Sequence, residues 1–231
     1  MLKQSGFSLI ELMIAMAIGI FALLAISTVM TNNIQFGKNT IDLLKLNQTM
    51  RSTMNIISDD IRRAGYWNNA SKLLDGSATQ NPHAYPNSPV TIGTNCIIFS
   101  YDRDNVGDTV NDSEKFGYAL INNTIYMRTP GSYYGCDPSL ISSSNPAWQA
   151  ITDPAKIKVT TFTFTKTAPT DSSHQVSYNS STNICITDIK IEINAETKSI
   201  NSIIKQPIQK IIRIRNDTIR TDTASTSRVC A

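Results

Sequence analysis

Histidine is nearly missing from this chain, with two among 231 residues. Neither His83 nor His174 is accompanied by a GxSxG, HExxH, P-loop or dinucleotide motif. Hydrolytic, zinc-dependent and nucleotide-driven chemistry therefore lack a constellation to act from, and the chain reads as no enzyme. The four cysteines, Cys96, Cys136, Cys185 and Cys230, include no CxxC pair, which leaves a Cys/His zinc site without its usual spacing. Charged residues are scarce at 17%, against ~25% in soluble domains. Their signs nearly cancel, 21 basic against 18 acidic, so no whole-chain argument favours nucleic acid or an anionic surface.

One long hydrophobic run dominates what is there. From Phe7 to Met30 the chain is apolar except for Ser8, Glu11, Gly19, Ser27 and Thr28. About 20 residues rising 1.5 Å each cross a hydrocarbon core. Lys3 on the short side predicts a cytoplasmic N-terminus, with the bulk of the chain beyond the membrane. A secretory signal fits poorly. Ala22 and Ala25 lie too deep in the run to mark a cleavage site, and no polar boundary comes before Thr31-Asn32-Asn33. The better junction precedes the run, at Gly6-Phe7; an uncut single-pass anchor is the alternative. Glu11 is the anomaly, because an ionisable group in a lipid-embedded helix is costly and marks function by default.

Gly6-Phe7-Ser8-Leu9-Ile10-Glu11-Leu12 resembles the type III signal of type IV pilins and type II secretion pseudopilins. The resemblance implies that a prepilin peptidase cuts after Gly6 and methylates Phe7. It also implies that Glu11 pairs with the N-terminal amine of a neighbouring subunit. The physics is coherent: a wrong register would leave a charge unpaired in apolar surroundings. A Glu in the first helical turn, favoured by the helix dipole, is the plainer alternative. A second stretch, Ser58-Asp59-Asp60-Ile61-Arg62-Arg63-Ala64-Gly65-Tyr66-Trp67, resembles the helix end of PilW-type minor pilins. Cys96 to Asp102 and Glu114 to Tyr118 resemble that family's core. Unlike many major pilins, the apolar helix has Thr28 where a kinking proline often sits.

The resemblance implies a minor pilin that primes pilus assembly in a tip complex. Its partners would be the prepilin peptidase, other minor pilins and the major pilin. It would reside in the inner membrane and then in the pilus at the cell surface. A J-like type II secretion pseudopilin is the alternative, and a membrane-anchored periplasmic ligand-binding protein is a third.

Beyond Met30, Ile34, Ile41, Leu44, Met50, Met54, Ile57 and Ile61 recur mostly at threes and fours. This predicts one helix over about residues 8–64, with a possible bend at Gly37 and Gly65 as its C-cap. Its second half should pack on the chain's own domain. The segments are then a leader over 1–6, a transmembrane half over 7–30, an amphipathic half over 31–65 and a β-rich domain over 66–231. Within that domain, 66–95 and 129–155 read as loops. Strands are expected at 96–101, at 116–121 and 124–128 flanking an Asn122-Asn123 turn, and at 157–166, 184–194 and 208–215. The alternation slips between Val159 and Phe162 and at Thr187-Asp188, each suggesting a bulge or change of face. The architecture is α+β: a long helix packed on antiparallel sheets.

An even cysteine count suits an oxidising compartment and two disulfides. Three pairings are open; proximity in sequence favours Cys96–Cys136 with Cys185–Cys230, and buried thiols are the alternative. Asp102, Asp104 and Asp108, with Asp112 nearby, resemble the first half of a Ca²⁺ loop, but Val106 and Ser113 break the EF-hand pattern. A polar turn without any cofactor is the preferred reading. His83 and His174 read as solvated loop residues. Lys205, Lys210, Arg213, Arg215 and Arg220 could meet DNA phosphates. With no aromatic platform beside them, a solvated strand face is preferred.

Overall fold

The computed structural model describes residues 8–73, 75–78, 81–84, 88–106, 109–143, 146–167, 175–179, 182–198, 203–216 and 218–221. The chain divides into two compact units, Met1–Lys45 and Leu46–Ala231. One helix, α1 (Leu9–Ile61), contributes to both.

Among the described residues the first unit is helical from Leu9, and from Leu9 to Met30 it is apolar on nearly every side. Every residue from Ser8 to Phe36 is exposed. An apolar helix without a polar face belongs in lipid or among other helices. Two of its hydroxyls are satisfied within the helix: that of Thr28 donates to the Ala25 carbonyl at 2.8 Å and that of Thr31 to Ser27 at 2.9 Å. The helix runs unbroken through Gly37.

In the second unit α1 buries Leu46, Met50, Met54, Ile57 and Ile61, one face at three- and four-residue spacing. The expected stripe extended back to Leu44, Ile41 and Ile34, and those three are exposed. The helical period explains the difference: they lie ~120–160° around the axis from Leu46.

The strands are β1 (Val90–Ile92), β2 (Cys96–Ser100), β3 (Lys115–Ile121), β4 (Thr124–Met127), β5 (Gln149–Ala150), β6 (Ile157–Thr167), β7 (Gln175–Asn179), β8 (Thr182–Cys185), β9 (Asp188–Thr197), β10 (Lys205–Arg213) and β11 (Thr218–Thr221). A short helix, α2 (Pro138–Ser143), precedes β5. All the pairings are antiparallel, in sheets ordered β1-β2-β3-β4-β5, β10-β9-β6 and β11-β8-β7. Asn122 and Asn123 turn the β3–β4 hairpin with φ of 49° and 63°. Two successive positive φ values are what a type I′ turn needs, and Asn tolerates them.

The β2 run alternates between two cores. Ile97 and Phe99 join α1, Tyr118, Ile125, Phe162, Ile191 and Ile193 in the main cluster, whereas Cys96 faces a smaller one with Ala119, Ile121, Ile141 and Trp148. Burial on both faces is why this strand is apolar throughout. The slip expected in β6 is a bulge at Thr160, between Val159 and Thr161. The expected single strand over 184–194 is instead two. The chain leaves one sheet at Cys185 and enters another at Asp188, so the slip at Thr187-Asp188 marks a change of sheet.

The stretches expected to be loops also hold elements. Residues 66–95 include β1 and two short 3₁₀ turns, and 129–155 include α2 and β5. These pieces are too short to show a period, and β1 exists because Val90 pairs with Phe99.

Cys96 and Cys136 form a disulfide across 40 residues, with their Cα atoms 5.6 Å apart. Cys185 lies on β8, and Cys230 falls outside the described residues. Closing a loop of this size stabilises by about 4 kcal/mol through the unfolded chain. Urea unfolding of the detergent-solubilised chain should show the C96A/C136A variant less stable by that order. An unchanged midpoint would mean that the bond adds nothing.

Candidate functional site

The helix start is the first candidate. Ser8 stands just ahead of α1, and its backbone N–H donates to Glu11 Oε2 at 3.0 Å. Ser8 and Glu11 are spaced as in a capping box, in which the third helical residue reaches back to the N-cap amide. Glu11 thus has a local partner in the single chain, as the plainer reading supposed. Gly6 and Phe7 lie outside the described residues.

The far end of α1 is a junction. Gly65 takes φ +75°, the left-handed conformation of a helix C-cap, and a Cβ there would sit 2.8 Å from Pro89 Cβ. Three other segments bond to this turn. Gly65 N–H donates to the Ser100 carbonyl at 2.9 Å, and Arg215 N–H to the Arg62 carbonyl at 3.0 Å. Asn81 Nδ2 donates to the Gly65 carbonyl at 2.8 Å, and Asn216 Nδ2 to those of Arg63 and Ala64. One turn earlier, Asp60 accepts the hydroxyl of Tyr118, whose ring is fully buried. Burial, then the Asp60 charge, hold that phenol protonated far above its ordinary range.

The acidic loop follows β2. Asp102, Asp104 and Glu114 place one carboxylate oxygen each within 4.8 Å of the others, and Asp102 and Glu114 are buried. The expected companion Asp108 falls outside the described residues, and Asp112 is engaged elsewhere, by Arg128 and Gly131 N–H. Backbone amides occupy the cluster. Asp102 accepts from Asn105 and Asn68, Asp104 from Val106, and Glu114 from Arg103 and Asn111. A polar turn needs these bonds, and they account for the grouping. Glu114 was not anticipated as a member, because counting along an EF-hand template places it one residue late.

His83 corrects the expectation of a solvated residue. It is 3% exposed, and its Nδ1 has no hydrogen-bond partner. Asn81 fixes this turn by accepting from His83 N–H at 2.8 Å while bonding to Gly65. Pro-rich composition suggested a surface loop; a long-range tie to the helix end overrode it. His174 falls outside the described residues.

Arg128, another buried charge that the sequence did not flag, donates to the carbonyls of Asp112 at 3.1 Å, Lys115 at 2.7 Å and Ser132 at 2.7 Å. It pairs with the Asp112 carboxylate and so pins the loop after β4. On the basic strand, Lys210 donates to Asn55 at 3.2 Å. Lys205, Arg213 and Arg215 are exposed, and nothing is described of the Arg220 side chain.

Burial lowers the pKa of His83, and the nearby Glu114, Asp102 and Asp104 charges only partly oppose it. A histidine held neutral in the fold binds fewer protons than in the unfolded chain once pH falls below the ordinary value of 6.5. Stability should therefore be full above that value and decline as pH falls toward the lowered folded pKa. Melting curves from pH 7.5 to 5 should show a shallower decline in His83→Gln than in wild type. Equal slopes would remove His83 as the cause.

Residues 1–27 match the prokaryotic N-terminal methylation motif, and residues 39–214 match the family model of prepilin peptidase-dependent protein B. No curated protein and no solved structure matches the chain. Both family matches point to a structural, membrane-anchored protein that is a prepilin peptidase substrate. They fit a helix whose first half is apolar on nearly every side and opens on Ser8 and Glu11. With the match to the second model covering most of its length, the chain belongs to the prepilin peptidase-dependent protein B family and is a pilin-type protein.

Proposed function

We propose that this protein is a minor type IV pilin that helps to initiate pilus assembly, together with other minor pilins and the major pilin. It is made in the inner membrane with its N-terminus in the cytoplasm and its β-rich unit in the periplasm. The prepilin peptidase cuts after Gly6 and methylates Phe7. The helix then moves from lipid into the filament, and the protein reaches the cell surface. Assembly is the work done, and no reaction is catalysed.

The observation that carries this reading is the uninterrupted exposure of α1 from Ser8 to Phe36, with Glu11 as its one ionisable residue. In water such a surface is strongly unfavourable, at roughly 25 cal/mol per Å² of apolar area. Lipid and neighbouring helices both remove that cost, and transfer between them asks little of the apolar side chains. What lipid and a helix bundle treat differently is charge. Near the helix end, a carboxylate in a bilayer reaches toward the interface; among packed helices it needs a partner. The new terminal ammonium of a neighbour is such a partner, and this makes Glu11 a register mark.

Two measurements test this. Mass spectrometry of the mature protein should find N-methylated Phe7 as the first residue, and an intact Met1 would overturn the proposal. For Glu11, the informative change is Glu11→Gln, because Gln keeps an acceptor for Ser8 N–H but carries no charge. The variant should be made and cut normally, yet fail to enter pili. Incorporation at the wild-type level would reduce Glu11 to a helix cap. Restored secretion without restored piliation, in a strain lacking the gene, would assign the chain to a type II secretion pseudopilus instead.

A further inference from the structure

The turn that ends α1 also shapes a cleft of about 350 Å³. Four arginines line it: Arg62 and Arg63 from the helix end, Arg103 from the loop after β2, and Arg215 from the segment after β10. Tyr66 adds an aromatic wall and donates its hydroxyl to Asn105 at 3.3 Å.

The fold does not use these cations as caps. The carbonyls of Arg62, Arg63 and Ala64 are met by the backbone N–H of Arg215 and Tyr66 and by Asn216 Nδ2. The guanidinium groups themselves have little to do. Arg62 lies 3.6 Å from Asp59, in a pair open to solvent, where such pairs are worth little. Among the described residues, Arg63 reaches the Tyr101 hydroxyl, at 3.5 Å, and the face of its ring. Among the described residues, neither Arg103 nor Arg215 has an ion-pair partner. Asp102 also lines the cleft, and its two oxygens each accept from one backbone amide, those of Asn105 and Asn68.

We propose that this cleft binds a carboxylate carried on a peptide segment of another protein. Arginine presents a planar fork that fits a carboxylate in two parallel hydrogen bonds. Four arginines from three chain segments line this one cleft and give it the charge to hold such a group. The same chemistry serves phosphate, and the surroundings choose between the two. Asp102, which groups with Asp104 and Glu114, lines the cleft together with the arginines. Asp102 belongs to the cleft lining, so a singly charged carboxylate meets less repulsion there than a dianionic phosphate. The cleft lies wholly within the second unit, so the inference does not depend on how the N-terminal helix is used.

The test uses the full chain in a non-ionic detergent and a rhodamine-labelled tetraglutamate peptide read by fluorescence anisotropy. Wild type should bind it saturably. The R103Q/R215Q variant should bind about tenfold more weakly, the loss of two charge-assisted contacts. A charge-matched control, K158Q/K205Q, should bind as wild type does. If the double variant melts below wild type, Arg103→Gln alone carries the test, with a loss of about threefold. Absence of saturable binding, or equal losses in the two double variants, would overturn the proposal. So would displacement of the peptide by inorganic phosphate or a thymidine dodecamer at lower concentration than by unlabelled tetraglutamate, because the cleft would then be a phosphate site.

Discussion

The β-rich unit depends on the burial of one helical face, Leu46 to Ile61, against two antiparallel sheets. Five apolar side chains of α1 share a core with Phe99 and Tyr118 on one sheet and with Phe162, Ile191 and Ile193 on the other. Residues of both sheets and of the helix share this one cluster. The helix must then stop sharply, and Gly65 stops it. Because Gly65 has no Cβ, Pro89 packs against it, and the segments around Asn81, Ser100 and Arg215 all bond to the same turn. One backbone conformation therefore positions four distant parts of the chain. It also sets the arginine cleft and the burial of His83, both of which are consequences of how the helix ends.

Much of this was legible in the sequence because the strongest signals are periodic. The all-apolar run, the helix end at Gly65, the Asn122-Asn123 turn and the irregularity in β6 all appear as breaks or regularities in spacing. What was not legible depends on distant partners. A three-residue strand such as β1 has no period of its own and is made by its register with β2. His83 sits in a segment whose proline content signals a loop, and only Asn81 bonding across to Gly65 draws it inside. Glu114 joins Asp102 because β3 folds back beside β2, an adjacency that counting along the chain cannot give. The stripe on α1 failed in an instructive way. Spacings of three and four do not fix a face once gaps accumulate, and from Leu44 to Leu46 the helix turns more than halfway round.

Charge placement in the chain follows one rule at both ends of α1: each ionisable group needs something to face. At the buried end the rule is met within the chain for the groups that the core encloses, and the arginines of the cleft are left facing outward. Tyr118 meets Asp60, and the carbonyls at the turn are met by amides and Asn216. At the apolar end only one partner is available within the described residues, the amide of Ser8. A carboxylate has about four lone-pair sites, and one neutral N–H leaves most of them unsatisfied. In water or at a membrane surface, solvent supplies the remainder. Among packed helices it cannot, and the deficit persists until another charge arrives. The bond to Ser8 and the proposed pairing across subunits are therefore compatible. The first fixes the side chain's direction along the helix start, and the second uses the oxygen that the first leaves free. A residue needed only for capping could be Gln without loss; a residue chosen for its charge could not. That difference, at one atom of one side chain, separates a helix that merely sits in a membrane from one built to leave it.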